Sequence, residues 1–236
     1  MANIPLTKQR SAAFRSSVAL KSAMAVTGAV LVLFLVAHMY GNLLIFGGQQ
    51  AFDDYSHHLR ELGEPMLPHG GALWIIRVVL LASVLVHAYA AVVLWARAAR
   101  ARPAGQRYAV RKSAQSPVRR YATQTMRWGG VIIVLFVVYH LLHLTTNDIA
   151  PGGASASPYE RVVNGFSIWW VVLSYVVAVL AVGYHLWHGI WSALATLGAN
   201  RAGRERALRT TAAAIATIIT VGFLIPPFSI LLGLVS

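Results

Sequence analysis

Four histidines stand inside long apolar runs: His38 in "VLFLVAHMYGN", His87 in "LASVLVHAYAA", His140 in "VLFVVYHLLHL" and His185 in "LAVGYHLWHG". An ionisable ring is expensive in such a setting and is retained for proton relays, ion pathways or metal ligation. A neutral imidazole nitrogen is a good ligand for iron. The spacing also repeats. Gly28 precedes His38 by the same interval that separates Gly130 from His140, with Leu33-Phe34 aligned on Leu135-Phe136, and the segments around His87 and His185 form a second pair.

The elements that carry these residues follow from composition. The chain has 236 residues, 57% of them hydrophobic and only 11% charged, so several runs are long enough to cross a bilayer, which takes roughly 20 residues. Five segments qualify, about 22 to 46, 72 to 96, 128 to 146, 167 to 197 and 209 to 235, and none alternates as a barrel strand would. The expectation is an all-α, polytopic membrane protein, a single membrane-anchor unit over residues 1–236 whose first four helices form an antiparallel bundle. The first apolar run is longer than a signal-peptide core and lacks a small-residue cleavage site, so it reads as a retained span. The outer stretches "GGQQAFDDYSHHLRELGEPMLPHGG" and "NDIAPGGASASPYERVVNG" read as loops from their Gly, Pro and Asp content. The inner stretch from 97 to 127, rich in Arg, Ala and Ser, reads as a surface helix or a segment ordered by lipid or a partner.

The formal charge of +13 is a topology signal rather than a nucleic-acid footprint. Four basic residues (Lys8, Arg10, Arg15, Lys21) precede or open the first span, nine lie between the second and third, and four lie between the fourth and fifth, whereas six of the seven acids lie in the opposite loops. This places the N-terminus in the cytoplasm and the C-terminus outside, with Lys21, Arg127 and Trp128 as inner-interface anchors. There is no cysteine, which excludes disulfides, thiolate haem ligation and an iron–sulfur cluster held by this chain's own thiolates. No phosphate loop or nucleophile elbow occurs.

Depth then sorts the histidines. His38 lies nine residues before Gly47 and His140 seven before Asn147, while His87 lies sixteen after Gly71 and His185 eighteen after Ser167. At 1.5 Å per residue the two sets differ in depth by roughly 13 Å. Two pairs at two depths on four antiparallel helices is the requirement of two bis-histidine haems, and small residues one turn past two of them, Ala91 and Gly189, leave room for a macrocycle. Spacing alone does not choose between His140 and His143, or between His185 and His188, which stand one turn apart. His57, His58 and His69 read as solvated surface residues. Arg77, ten residues before His87, is placed at the outer level, where it would either contact a haem propionate or snorkel to the interface.

These residues resemble the five-helix, dihaem cytochrome b subunit of bacterial succinate dehydrogenases and fumarate reductases, over nearly the whole chain. "SAMAVTGAVLVLFLVAHMYGNL" is similar to that family's first helix and "HLWHGIWSALATLG" to its fourth. The resemblance implies His38 with His140 as ligands of the haem nearer the outside, and His87 with His185 for the haem nearer the cytoplasm. It implies two haem b, menaquinone as electron acceptor, and a bacterial inner (plasma) membrane location. The quinone it implies needs a proton donor or acceptor at each oxygen, for which Asp53, Asp54, Tyr55 and Glu61 are outer candidates and Ser17, Lys21 and Ser22 inner ones. It also implies a cytoplasmic iron–sulfur subunit and an FAD-containing flavoprotein as partners, with no dicarboxylate site on this chain. The alternatives are a cytochrome b of a hydrogenase or formate dehydrogenase, and a proton-coupled transporter with relay histidines. The transporter class lacks support from matched broken helices, since Pro226-Pro227 in the fifth span has no counterpart.

Overall fold

The computed structural model describes residues 16–100, 117–199 and 203–236, and among these every regular element is helical. Seven helices follow in order: α1 (Ser17–Leu43), α2 (Gly48–Glu61), α3 (Gly71–Arg100), α4 (Pro117–His140), α5 (Pro158–Phe166), α6 (Trp169–Thr196) and α7 (Glu205–Leu231). A 3-10 turn, Leu44–Gly47, joins α1 to α2, and a π-helical turn, Leu141–Thr145, extends α4. Helices α1, α3, α4, α6 and α7 are long and apolar enough to cross a membrane. Their bounds match four of the five expected spans to within about five residues, while α4 begins eleven residues before the expected start at 128 and runs on through the π-helical turn to Thr145; an apolar run in hydrocarbon must satisfy its backbone internally and so must be helical. Arg102, Arg107, Arg111 and Lys112 of the basic inner stretch, with Lys8, Arg10, Arg15 and Arg201, lie outside the described residues.

Local chemistry sets the helix ends. Ser16 caps α1, its hydroxyl accepting from the Ala19 N–H at 3.1 Å. Helices α6 and α7 both close in Schellman turns, with Gly198 at φ +88° and Gly233 at φ +71°, a conformation that favours glycine. In these turns Ala199 N donates to the Leu194 carbonyl and Leu234 N to that of Ser229.

The two outer stretches expected to be loops are not wholly so. α2 places Phe52, Tyr55 and Leu59 at helical spacing, with Phe52 buried, so an amphipathic helix lies across the outer end. α5 opens on a serine N-cap: Ser157 accepts from the Glu160 N–H at 3.2 Å and Pro158 takes the first helical position. Turn-forming composition in those stretches masked both signals. Asp53 ties the two helices together, one carboxylate oxygen accepting from the Ser157 hydroxyl at 2.6 Å and the other from the Tyr159 N–H at 3.0 Å. Arg161 adds bonds to the carbonyls of Ser155 at 2.6 Å and Thr145 at 3.3 Å, and Tyr159 donates to the carbonyl of Ser236 at 3.0 Å. Beneath this polar lid lies an apolar cluster that includes Ile45, Phe52, Phe166, Val172, Tyr175 and Ile230.

In the bilayer layer, α1 packs against α3, α6 and α7, α6 packs against α7, and α4 packs against α6. The α1–α6–α7 seam is close because it uses small residues: a side chain at Gly183 would collide with Thr220, and one at Gly222 with Met39. The helix pairs α1/α4 and α3/α6 are not among those with extensive contact. α3 presents large apolar residues outward, Leu81, Leu85 and Val92 among them, as a lipid-facing helix does. Aromatic residues carrying a cation mark its two ends, with the Arg77 guanidinium 5.1 Å from the Trp74 ring centre and that of Arg127 4.9 Å from Trp95.

Two outcomes check this architecture. Because the chain has no cysteine, single cysteines report topology directly: Ala154→Cys is expected to react with a membrane-impermeant maleimide in intact cells, and Ala99→Cys only after permeabilisation. Asp53→Ala removes the acceptor for two bonds of the outer lid, a loss of about 1–3 kcal/mol. Amide exchange at Tyr159 and Glu160 in nanodiscs is then expected to rise on the order of tenfold, with exchange in the α6–α7 seam unchanged.

Candidate functional site

The interior histidines meet in twos. The His38 and His140 ring centres lie 5.8 Å apart, their planes nearly perpendicular at 86°. Those of His87 and His185 lie 6.1 Å apart at 55°. Each pair joins two helices that make little direct contact, α1 with α4 and α3 with α6, so the rings reach across a gap in the bundle. Among the described residues no group of three or more metal-ligating side chains forms.

The two levels are well separated. His87 contacts α1 at Met24 and Thr27, eleven to fourteen residues before His38, and His140 contacts α6 at Tyr175, ten residues before His185. Both helices therefore space the pairs by about 15–20 Å at 1.5 Å per residue, a little beyond the expected offset.

Each pair has its own surroundings. At the inner level the Nδ1 of His87 lies 3.1 Å from the Met24 carbonyl and 3.3 Å from the Thr27 hydroxyl. The carbonyl can only accept, so Nδ1 donates and Nε2 is the nitrogen left with a free lone pair. Gly28 sits against this ring, and a Cβ there would stand 3.4 Å from its Cε1. The His185 Nδ1 is buried without a hydrogen-bond partner, and the space beside Gly189 one turn on is open. At the outer level Phe34 stacks on His38 at 5.2 Å, Phe223 of α7 tilts against it at 5.7 Å, and Phe136 flanks His140 at 5.7 Å.

The neighbouring histidines go elsewhere. Beyond His140 the π-helical turn is wider than an α-turn, and it carries His143 into the core between α5 and α6. There it is 1% exposed, stacks on Tyr139, and fills the space that a side chain at Gly165 would need. His188 packs edge-on to Trp191 at the inner end, where Arg209 covers the same indole at 4.2 Å.

The remaining candidates separate into two ends. Asp53 is held by Ser157 and Tyr159, Tyr55 packs over Gly41 and edge-on to Tyr40, and Glu61 lies 3.3 Å from His57, all at the outer end with the exposed Asp54. Ser17 accepts from Arg97 at 3.1 Å at the inner end, where Lys21 is exposed and Ser22 half-buried. The exposed Arg77 rests on Trp74. Tyr175, which touches both His140 and His143, was missed by the sequence argument; its signal is a polar hydroxyl in an apolar run one level above His185.

The family model for the succinate dehydrogenase/fumarate reductase transmembrane subunit matches residues 102–225, which takes in α4, α5, α6 and most of α7. No curated protein and no solved structure matches the chain. The matched stretch is more than half of the sequence and carries one histidine of each facing pair, and the chain belongs to the succinate dehydrogenase/fumarate reductase transmembrane subunit family.

Proposed function

We propose that this chain is the dihaem, quinone-reactive membrane anchor of a succinate:quinone oxidoreductase, carrying electrons from a cytoplasmic iron–sulfur subunit to menaquinone in a bacterial plasma membrane. The observation that carries the proposal is the pair of facing histidine couples, each bridging two helices that do not pack closely, at two depths. Two imidazoles that face one another across one metal ion, each nitrogen about 2 Å from it, hold their ring centres roughly 6 Å apart. The measured separations of 5.8 and 6.1 Å fit that requirement. With two imidazoles per couple, the remaining positions on a metal would have to come from outside the chain, and in a haem the macrocycle supplies them.

In this reading His38 and His140 hold the outer haem, and His87 and His185 the inner one. Haem b supplies reversible one-electron storage at each level. The residues of this chain do the rest. Met24 fixes the His87 tautomer, Gly28 admits that ring to the face of α1, and the apolar rings of Phe34, Phe136 and Phe223 exclude water from the outer pair. Asp53, Tyr55 and Glu61 outside, and Ser17 and Lys21 inside, are the polar groups to which this reading assigns proton exchange with a quinone. Arg77, resting on Trp74, anchors α3 at the outer interface and is the residue this reading offers as a propionate partner. The inner ends of α3 and α7, with Arg97, Arg100, Arg204 and Arg206, supply part of a basic surface for the iron–sulfur and FAD-containing partners. Family membership places this reading ahead of a hydrogenase or formate dehydrogenase cytochrome b and of a transporter.

The test is a reduced-minus-oxidised optical spectrum of the purified membrane complex with haem counted per chain. The expected result is two b-type haems, at least one reduced by succinate. His38→Ala and His87→Ala are each expected to lower the count to one, whereas His188→Ala keeps both. A well-folded complex without haem would overturn the proposal.

A further inference from the structure

Tyr175 of α6 stands between two histidines of α4 and its π-turn: its hydroxyl lies 3.3 Å from the Nδ1 of His140 and 2.9 Å from the Nδ1 of His143. A phenol has one proton to give and Tyr175 is buried, so the arrangements that satisfy that proton are the two that place it in one of these bonds. In one, Tyr175 donates to His140, whose own proton then sits on Nε2 and blocks that nitrogen as a ligand. In the other, His140 Nδ1–H donates to Tyr175, Tyr175 donates to His143 Nδ1, and His143 carries its proton on Nε2. Only the second leaves the His140 Nε2 lone pair free.

The packing is built to hold this chain of bonds in place. Tyr175 is buried and its ring meets Phe136 at 4.9 Å and Phe166 at 4.7 Å, both edge to face. His143 is fully enclosed, its Nε2 is buried without a partner, and Gly165 is the only residue type that leaves room for that end of the ring. A buried imidazole with one nitrogen unsatisfied is costly, so its single bond to Tyr175 is what the site gains from it. Among the described residues the His38 ring is held by the packing of Phe34 and Phe223, so the hydrogen bond that orients the outer pair is the one at His140. At the inner level the corresponding acceptor is the Met24 backbone carbonyl, which no substitution removes.

From this juxtaposition we infer that Tyr175 and His143 are positioning residues for His140, acting as a directed hydrogen-bond chain that fixes its tautomer and strengthens it as a ligand, so that they set the redox potential of the outer haem separately from the inner one. The inference rests on the dihaem reading. An acceptor on the distal N–H makes an imidazole more basic and favours the oxidised iron, so loss of the acceptor shifts the potential upward. Because His143 takes the Tyr175 proton, it makes the phenol oxygen a better acceptor, and its removal acts in the same direction with smaller effect.

The experiment is a spectroelectrochemical titration of the intact complex, with the two one-electron waves assigned from a His87→Ala variant that retains only the outer haem. Tyr175→Phe keeps the ring and its packing. The expected result is an outer-haem reduction equilibrium moved toward the ferrous state by several-fold, tenfold being 59 mV, with the inner wave unmoved. His143→Leu gives a smaller shift of the same sign, and His143→Gln, which restores a carbonyl acceptor, returns it toward the parent value. Two loaded haems with an unmoved outer wave in Tyr175→Phe overturn the inference, as does an equal shift of both waves. Should Tyr175→Phe lose the outer haem, the His143→Leu and His143→Gln pair decides by the same criterion. Absence of haem from the unsubstituted complex overturns the dihaem reading itself, and is seen before any variant is made.

Discussion

An imidazole placed in the hydrocarbon layer needs a polar partner, and this fold raises that demand four times and meets it with a hydrogen bond at two of the four rings. Solvent cannot supply the partner at that depth, and an unsatisfied ring nitrogen costs on the order of a few kcal/mol. Two of the four rings reach a carbonyl or a phenol through Nδ1, and each of the four faces a ring on a helix that it otherwise hardly touches. The helix contacts follow the same plan. Where the chain packs tightly, along α1, α6 and α7, it uses glycine and alanine; where the histidines face each other, the helices stand apart.

The arrangement is also a repeat. α1 with α3, and α4 with α6, are two hairpins of the same sense, each carrying one histidine near the outer end of its first long helix and one nearer the inner end of its second. Each facing couple takes one ring from each hairpin, so neither hairpin holds a complete site. α7 breaks the symmetry by packing on α1 and α6, with a smaller contact to α5, which brings Phe223 to His38 and leaves the other couple without an equivalent neighbour. The outer lid of α2 and α5 adds a further difference between the two ends, since it is knit by Asp53, Ser157 and Arg161.

Much of this was legible in the sequence because the bilayer simplifies the problem. Apolar runs longer than a crossing have one solution, and counting residues from Gly47, Gly71, Asn147 and Ser167 was enough to level His38 with His140 and His87 with His185. Whether those rings ligate iron is a separate step that spacing does not take. What the sequence hid were amphipathic elements under loop-like composition. α2 needed Phe52, Tyr55 and Leu59 to be weighed against its Asp and Gln, and α5 needed the Ser157 and Glu160 cap to be weighed against a Gly- and Ser-rich approach. The separation of His143 from His140 was hidden too, because it depends on a π-helical turn, and a wider turn leaves no mark in an apolar sequence. Tyr175 went unnoticed because its role comes from two residues on another helix.

The split contacts of the two hairpins have a thermodynamic consequence. Any group that binds both members of a histidine couple ties α3 to α6, or α1 to α4, and so adds a link that the polypeptide does not make for itself. Binding of this kind stabilises the assembled state by RT ln(1 + [L]/Kd). Under the proposed dihaem reading, the lifetime of the correctly assembled bundle would depend on the supply of that group, and a shortage would leave looser hairpins open to proteolysis.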